Sequence, residues 1–394
     1  MKFLGFFRQL FIHRSPVKSE LTYHWIVNIR SGASNYRDHS GQARGSMTKS
    51  VEDLHITRIR PLITPIRLAD EYRVSEENLQ LVADARCAIE SILDGKDMRR
   101  IVIVGPCSIH DPDAAIEYAS KLKEQTFGLD NLLVVMRVYF EKPRTVVGWK
   151  GLINDPDIDR SFNINKGLRL ARKLLLDIAD IGLPSGTEFL DTTFGQYFAD
   201  LISWGAIGAR TAESQVHREL ASGLSMPVGI KNRTDGDLKV AIDGIRAAAE
   251  RHLFPSLTKE GAPAIYETTG NPYCHLILRG GDKTGPNYDA DSIAAAEELL
   301  ESHGLPVNVI VDCSHGNSEK DPDNQKKVIA SVCDSIESGR SSIKGVMLES
   351  HLKPGRQDYH SGNLEYGKSI TDACLSLDDT IPLLEQLNQA ELGK

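Results

Sequence analysis

A chain of 394 residues, 41% hydrophobic and 25% charged, has the composition of a globular protein and the length for one large domain or two ordinary ones. A net charge of −8 without a basic stripe argues against nucleic acid as a partner, and no run approaches the ~20 apolar residues of a membrane helix. Six cysteines without CxxC spacing point to a reducing, cytoplasmic location rather than a disulfide framework.

The charge is uneven. Residues 1–46 hold seven Lys and Arg against Glu20 and Asp38, a net of +5, which leaves −13 for the remainder. Their apolar patches, Phe3 to Phe7 and Leu10 to Ile12, are broken by Arg8, His13 and Arg14. An Arg-rich, acid-poor opening fits a transit peptide. It also fits upstream sequence with no role in the folded chain, because Met47 begins a segment of ordinary globular character. Either reading predicts disorder over residues 1–46. Residues 47–74, with Pro61 and Pro65, read as an extended arm. Ser75-Glu76-Glu77-Asn78 then opens a helix with an N-cap and an acidic first turn. Its apolar stripe runs Leu79, Val82, Ala85, Ile89 and Ile92 and stops at Gly95. Residues 47–100 thus form an arm and helix ahead of a domain spanning 101–394.

In that domain, eight short apolar runs each end on a polar residue able to do chemistry. Ile101–Gly105 leads to Cys107, Leu132–Met136 to Arg137, Leu183–Phe189 surrounds Glu188, and Ala206–Ala209 leads to Arg210. Val228–Ile230 leads to Lys231, Leu276–Leu278 to Arg279, Val307–Val311 to Asp312 and His315, and Val346–Leu348 to Glu349. Helical patterns separate most of them: Asp111–Leu122, Asn163–Ile181, Phe194–Trp204, Ala212–Leu220, Asp237–Ala249, Ser292–Glu301 and Asn324–Ile336. This alternation predicts an α/β fold, a (β/α)8 (TIM) barrel of ~250 residues with its active site at the C-terminal strand ends. Ile101–Leu352 supplies that length. Two β-like runs, Ser256–Thr258 and Ala264–Thr268, read as an inserted β-hairpin.

At the barrel mouth, Cys107, His315, Glu349 and Asp372 combine thiolate, imidazole and carboxylates. Such a mixed set suits a divalent metal, Mn2+, Fe2+, Co2+ or Zn2+. Singly, each has a bland reading: buried Cys as a small hydrophobe, a structural His, Asp372 as a helix N-terminal acid. Arg137, Lys142, Arg144, Arg210, Lys231 and Arg279 form a cationic group whose bland reading is a scatter of surface ion pairs. Their recurrence at successive strand ends argues otherwise, since the Arg fork fits phosphate and carboxylate. Ala209 and Arg210 precede the helix expected at Ala212, whose N–H groups would add to an anion site. So many cations exceed one phosphate, and two anionic substrates account for them.

Met136-Arg137-Val138-Tyr139-Phe140-Glu141-Lys142-Pro143-Arg144-Thr145 and Gly148-Trp149-Lys150-Gly151-Leu152 resemble the type I 3-deoxy-D-arabino-heptulosonate 7-phosphate (DAHP) synthases. So do Gly105–His110, Gly208–Arg218, Leu278–Gly281, Asp312–Asn317 and Ile370–Ala373, and the likeness runs from about Asp53 to Leu384. The resemblance implies condensation of phosphoenolpyruvate with D-erythrose 4-phosphate, the first step of aromatic amino-acid synthesis. It implies the metal ligands Cys107, His315, Glu349 and Asp372. Phosphoenolpyruvate would meet Arg137, Lys142, Ala209, Arg210, Lys231 and Arg279, and erythrose 4-phosphate would meet Lys142, Pro143, Arg144 and Thr145. Catalytic roles fall to Lys142 as general acid and to Glu188 and Lys231 as holders of a water. It also implies a homodimer or homotetramer, and an aromatic amino-acid inhibitor pocket at Asp53, Ile56, Thr192, Gly195, Gln196, Ser225, Phe254 and Ser256. Gly195-Gln196 stands where phenylalanine- and tyrosine-sensitive forms carry Pro-Gln, which favours tryptophan. The rival readings are an octulosonate-phosphate synthase, disfavoured by Lys142–Thr145 and the long arm, and a non-catalytic sugar-phosphate sensor, disfavoured by the intact Cys107 and Lys142.

Overall fold

The structure, a computed structural model, describes residues 51–144 and 148–393, apart from the side chain of Ser361. The expected disordered extension, 1–46, and Thr145 lie outside the described residues. The chain divides into two units, residues 1–60 and 61–394. In the first, the Ile56 N–H donates to the Asp53 carbonyl at 3.0 Å, and Asp53 has a left-handed φ of 55°.

The second unit is a closed parallel barrel. Its strands are β1 (Arg100–Gly105), β2 (Leu132–Arg137), β3 (Ser185–Glu188), β4 (Ile202–Ile207) and β5 (Val228–Lys231). A two-stranded antiparallel hairpin, β6 (Leu253–Leu257) and β7 (Pro263–Glu267), is inserted before β8 (Cys274–Leu278), β9 (Val309–Asp312) and β10 (Ile343–His351). The order is β1-β2-β3-β4-β5-β8-β9-β10, and β10 pairs back onto β1 from Ile101↔Gly345 to Gly105↔Glu349. A short β11 (Leu375–Ser376) extends the sheet beside β10. Eight tilted parallel strands closed in this way make a (β/α)8 barrel.

Among the described residues, ten helices accompany the strands: α1 (Pro65–Glu71), α2 (Glu76–Leu93), α3 (Pro112–Gln125), α4 (Ile164–Asp180), α5 (Gly195–Phe198), α6 (Gln215–Gly223), α7 (Lys239–Ala248), α8 (Ala290–Ser302), α9 (Gln325–Glu337) and α10 (Leu377–Gln389). Ser75 caps α2 by accepting from the Asn78 N–H, and Asp111 caps α3, as their sequence signals predict. The cap on α2 matters because that helix plugs the barrel. Its Ile89, Ile92 and Leu93 join Ile101, Ile103, Trp204, Ile277, Ile310 and Met347 in one buried cluster. Arg86 ties α2 to the start of β4 by donating to the Ile202 carbonyl at 2.7 Å.

Three local expectations are corrected. Phe194–Trp204 is not one helix. α5 and one 3-10 turn end at Leu201, and Ile202-Ser203-Trp204 already belongs to β4, buried between its neighbours. The helix expected at Ala212 starts at Gln215, because the Gly208 carbonyl takes up the N–H groups of Thr211 and Ala212 in a tight turn. Leu79, placed in the apolar stripe of α2, is exposed.

Candidate active site

Strand ends bring the chemistry together. Cys107 follows β1 and is fully buried, Glu349 lies near the end of β10, and Asp372 sits on the turn before β11. One donor atom from each lies within 4.8 Å of the other two. Asp372 Oδ2 is 3.5 Å from Cys107 Sγ. Gln325, at the start of α9, fixes Glu349 by accepting from its N–H at 2.9 Å and donating to its carbonyl at 3.0 Å. His315 stands at the edge of this trio, its Nε2 3.7 Å from Glu349 Oε1. It adopts a left-handed φ of 55°, unusual for a non-glycine residue. Its Nδ1 lies 2.9 Å from Asp312 Oδ2 and 2.8 Å from Ser314 Oγ, acceptors that keep the proton on Nδ1 and leave the Nε2 lone pair facing Glu349. Thiolate and two carboxylates whose donor atoms lie within 4.8 Å of one another suit part of a divalent-ion site, and His315, 3.7 Å from Glu349 Oε1, stands beside them as a candidate fourth ligand.

Cations ring the same place. A cavity of about 130 Å³ is walled by Arg137, Lys142, Pro143, Arg144, Ala209, Arg210, Lys231 and Arg279, with Glu188, His315 and Asp372 also on its surface. Every described residue expected to meet substrate is there, whereas Cys107 and Glu349 are absent from its lining. Burial pushes the Cys107 thiol up to about 11, and Glu349 adds to this while Lys142 and Arg137 oppose it. Lys142 Nζ donates to Cys107 Sγ at 3.0 Å. Burial by itself would lower Lys142, but Cys107, Glu349 and Asp372 reverse that and raise it, so the ammonium keeps its proton. Arg137, 1% exposed, spreads its guanidinium between the metal candidates and the cavity. It donates to Glu349 Oε1 at 2.8 Å and to the Cys107 carbonyl at 3.3 Å. A Cβ at Gly208 would lie 2.3 Å from Glu188 Oε1, so any larger residue there would push the Glu188 carboxylate aside.

Sequence reasoning gave no role to four residues that the site uses. The Tyr139 ring lies under Arg137, whose Cζ is 3.6 Å from its centroid. Asp312 holds both His315 and Lys231, and Gln325 grips Glu349. Buried Glu141 accepts from the Asp191 N–H at 3.3 Å, and burial, with Asp191 and Glu188 nearby, pushes its carboxyl up to about 8. The strand-end rule does name Asp312, which closes β9 directly, beside His315, but assigns it no role.

The residues expected to form an inhibitor pocket are only partly assembled. Gln196 meets the hairpin loop, since Lys259 Nζ donates to its carbonyl at 2.5 Å. Thr192 and Gly195 lie on the same stretch, and Phe254 packs its ring against Tyr266 across the hairpin, 6.0 Å between centroids. Ser256 pairs with Ala264 on the hairpin, and Ser225 is exposed after α6. Asp53 and Ile56 belong to the other unit.

Comparison with known proteins agrees with this geometry. Residues 71–385 match the model of the DAHP synthetase I family. The chain is 58% identical over 341 residues to the Phe-sensitive phospho-2-dehydro-3-deoxyheptonate aldolase of Escherichia coli K12, covering 86% of this chain and 97% of that one. It is 53% identical over the same span to the Trp-sensitive enzyme of Salmonella typhimurium, again covering 86% and 97%. A solved phospho-2-dehydro-3-deoxyheptonate aldolase from Francisella tularensis superposes with a TM-score of 0.83 at 50% identity, covering 85% of this chain and 98% of that one.

Proposed function

This chain belongs to the DAHP synthetase I family, and from that premise we propose how its residues divide the work of condensing phosphoenolpyruvate with D-erythrose 4-phosphate to DAHP and phosphate. The observation that carries the reading is the convergence of Arg137, Lys142, Arg144, Arg210, Lys231 and Arg279 on one cavity beside His315 and Asp372. Two phosphates and a carboxylate repel one another, and fixed cations remove that repulsion without reorganising during the reaction. Arg137, Arg210, Lys231 and Arg279, with the Ala209 N–H, hold phosphoenolpyruvate. Pro143, Arg144 and Thr145 hold erythrose 4-phosphate.

A divalent ion held by Cys107, His315, Glu349 and Asp372 (Mn2+, Fe2+, Co2+ or Zn2+) would supply Lewis-acid polarisation of the aldehyde oxygen. Carbon 3 of phosphoenolpyruvate bonds to the aldehyde carbon, and Lys142 gives its proton to the developing alkoxide. Its raised proton affinity suits an acid that must stay charged until that moment. Glu188 and Lys231 orient the water that adds to carbon 2, Glu188 taking its proton, and phosphate leaves by C–O cleavage. The test follows phosphoenolpyruvate absorbance with both substrates and Mn2+. EDTA should abolish turnover and Mn2+ or Co2+ restore it, and Cys107→Ala should lose metal without unfolding. Full turnover in metal-free protein would sink this reading.

An aromatic amino acid regulates the enzyme from a pocket at Thr192, Gly195, Gln196, Ser225, Phe254 and Ser256. The named sensitivities of the relatives support regulation but not the choice of inhibitor, since overall identity does not determine a pocket. Gly195-Gln196, where phenylalanine- and tyrosine-sensitive forms carry Pro-Gln, supports tryptophan, although a Cβ at 195 would also crowd the Phe189 ring at 3.3 Å, a packing reason for glycine there. Equal activity with and without millimolar tryptophan, phenylalanine and tyrosine would refute regulation. The active form is a cytoplasmic homodimer or homotetramer, and sedimentation would count its subunits; among the described residues no helix is long and apolar enough to cross a membrane.

A further inference from the structure

Asp312 closes β9 at the centre of the barrel mouth and is fully buried. A carboxylate is tolerated there only if its oxygens are satisfied, and four donors satisfy them. Oδ2 accepts from Lys231 Nζ at 2.8 Å and lies 2.9 Å from His315 Nδ1. Oδ1 accepts from the Ser314 N–H at 3.0 Å and from Ser314 Oγ at 2.7 Å. One oxygen therefore holds a cation of the phosphoenolpyruvate wall and an imidazole of the metal candidates. Both residues depend on it for orientation. Lys231 is 3% exposed, with Asp312 as its ion-pair partner, and His315 Nδ1 lies between Asp312 Oδ2 at 2.9 Å and Ser314 Oγ at 2.8 Å, a hydroxyl that Asp312 Oδ1 itself holds.

Resting on the functional reading above, we propose that Asp312 is the positioning residue that joins the two halves of the site. It fixes the His315 tautomer for metal binding and holds the Lys231 ammonium at the phosphoenolpyruvate end. The geometry specifies an ionised carboxylate and excludes its amide. An asparagine has one acceptor oxygen and an NH2 group, whereas donors approach on both sides. Whichever way the amide turns, its NH2 faces either the Lys231–His315 pair or the Ser314 N–H.

The test is Asp312→Asn in the full chain, stripped of metal and titrated with Co2+ by absorbance, followed by steady-state kinetics at saturating metal. Metal affinity should fall roughly 10- to 100-fold, the usual effect of losing a group that orients a ligand. The KM for phosphoenolpyruvate should rise, while that for erythrose 4-phosphate stays within about twofold. A folded variant whose metal affinity or phosphoenolpyruvate KM stays within twofold of native would overturn the proposal. Should the variant fold poorly, ¹⁵N shifts of His315 in the native chain decide instead. A proton on Nδ1 supports the role, and a proton on Nε2 overturns it. The titration and the shifts need no turnover, so a native chain that fails to condense the two substrates would refute the functional reading separately.

Discussion

Arg279 and Arg144 face the same cavity and are assigned to different ligands, a division open to test. Losing one charge-assisted hydrogen bond to a phosphate costs roughly 1.5–3 kcal/mol. Arg279→Ala, or Arg210→Ala, should raise the KM for phosphoenolpyruvate by that margin, and Arg144→Ala should act on erythrose 4-phosphate. If Arg144→Ala moved only the phosphoenolpyruvate constant, the assignment would be reversed. Arg137 raises a subtler question. Its guanidinium carbon lies 3.6 Å from the centre of the Tyr139 ring, a desolvated cation–π contact of the kind that can reach about 2 kcal/mol. Tyr139→Phe keeps the ring and should leave phosphoenolpyruvate binding near native, whereas Tyr139→Leu should weaken it. Equal constants for the two variants would show that the ring does not steer Arg137.

The elements were legible where periodicity and position agreed. Asn163 to Ile181 carries a clear apolar face, and the helix found there, α4, buries Leu168, Ala171, Leu174, Leu175 and Ile178 on it. The hairpin announced itself by short β-like runs; β6 begins at Leu253, ahead of its run, and β7 covers Pro263–Glu267, its run shifted back by one residue. Phe194 to Trp204 misled because Phe198, Leu201, Ile202 and Trp204 keep a helix-like spacing, yet the last two pair with Ser185 and Gly186 of β3. In this stretch tertiary pairing overrides local pattern. Strand ends revealed the cations and metal donors because the fold gathers them at one mouth. Tyr139, Gln325 and Glu141 escaped because their roles arise from contacts with residues distant in sequence. The plug helix α2 gives an element-scale prediction. Ile92, 1% exposed in the barrel cluster, should cost about 2–5 kcal/mol when changed to Ala, read as a lower denaturation midpoint. An unchanged midpoint would mean that α2 does not seal the barrel.

For the molecule as a whole, Glu141 sets a pH dependence. Its carboxyl titrates near 8 when folded against an ordinary 4.5, so folding takes up a proton between those values. The stability it contributes is full below about 4.5 and is lost as pH rises through about 8, with a slope of up to about 1.4 kcal/mol per pH unit. Glu141→Gln should flatten that part of the stability profile, and an identical slope in the variant would disprove the assignment. The pairing of β1 with β10 carries a different consequence, one of time. Each strand of the seam waits for the other: β1 leaves the ribosome early and keeps a bare edge until Ile343–His351 has been made. Contacts this distant in sequence form slowly. Cys107 and Asp372, 265 residues apart, meet only across that seam. A metal ion can therefore be captured only after the ring has closed, so Co2+ uptake during refolding should follow the slowest fluorescence phase and serve as a clock for closure.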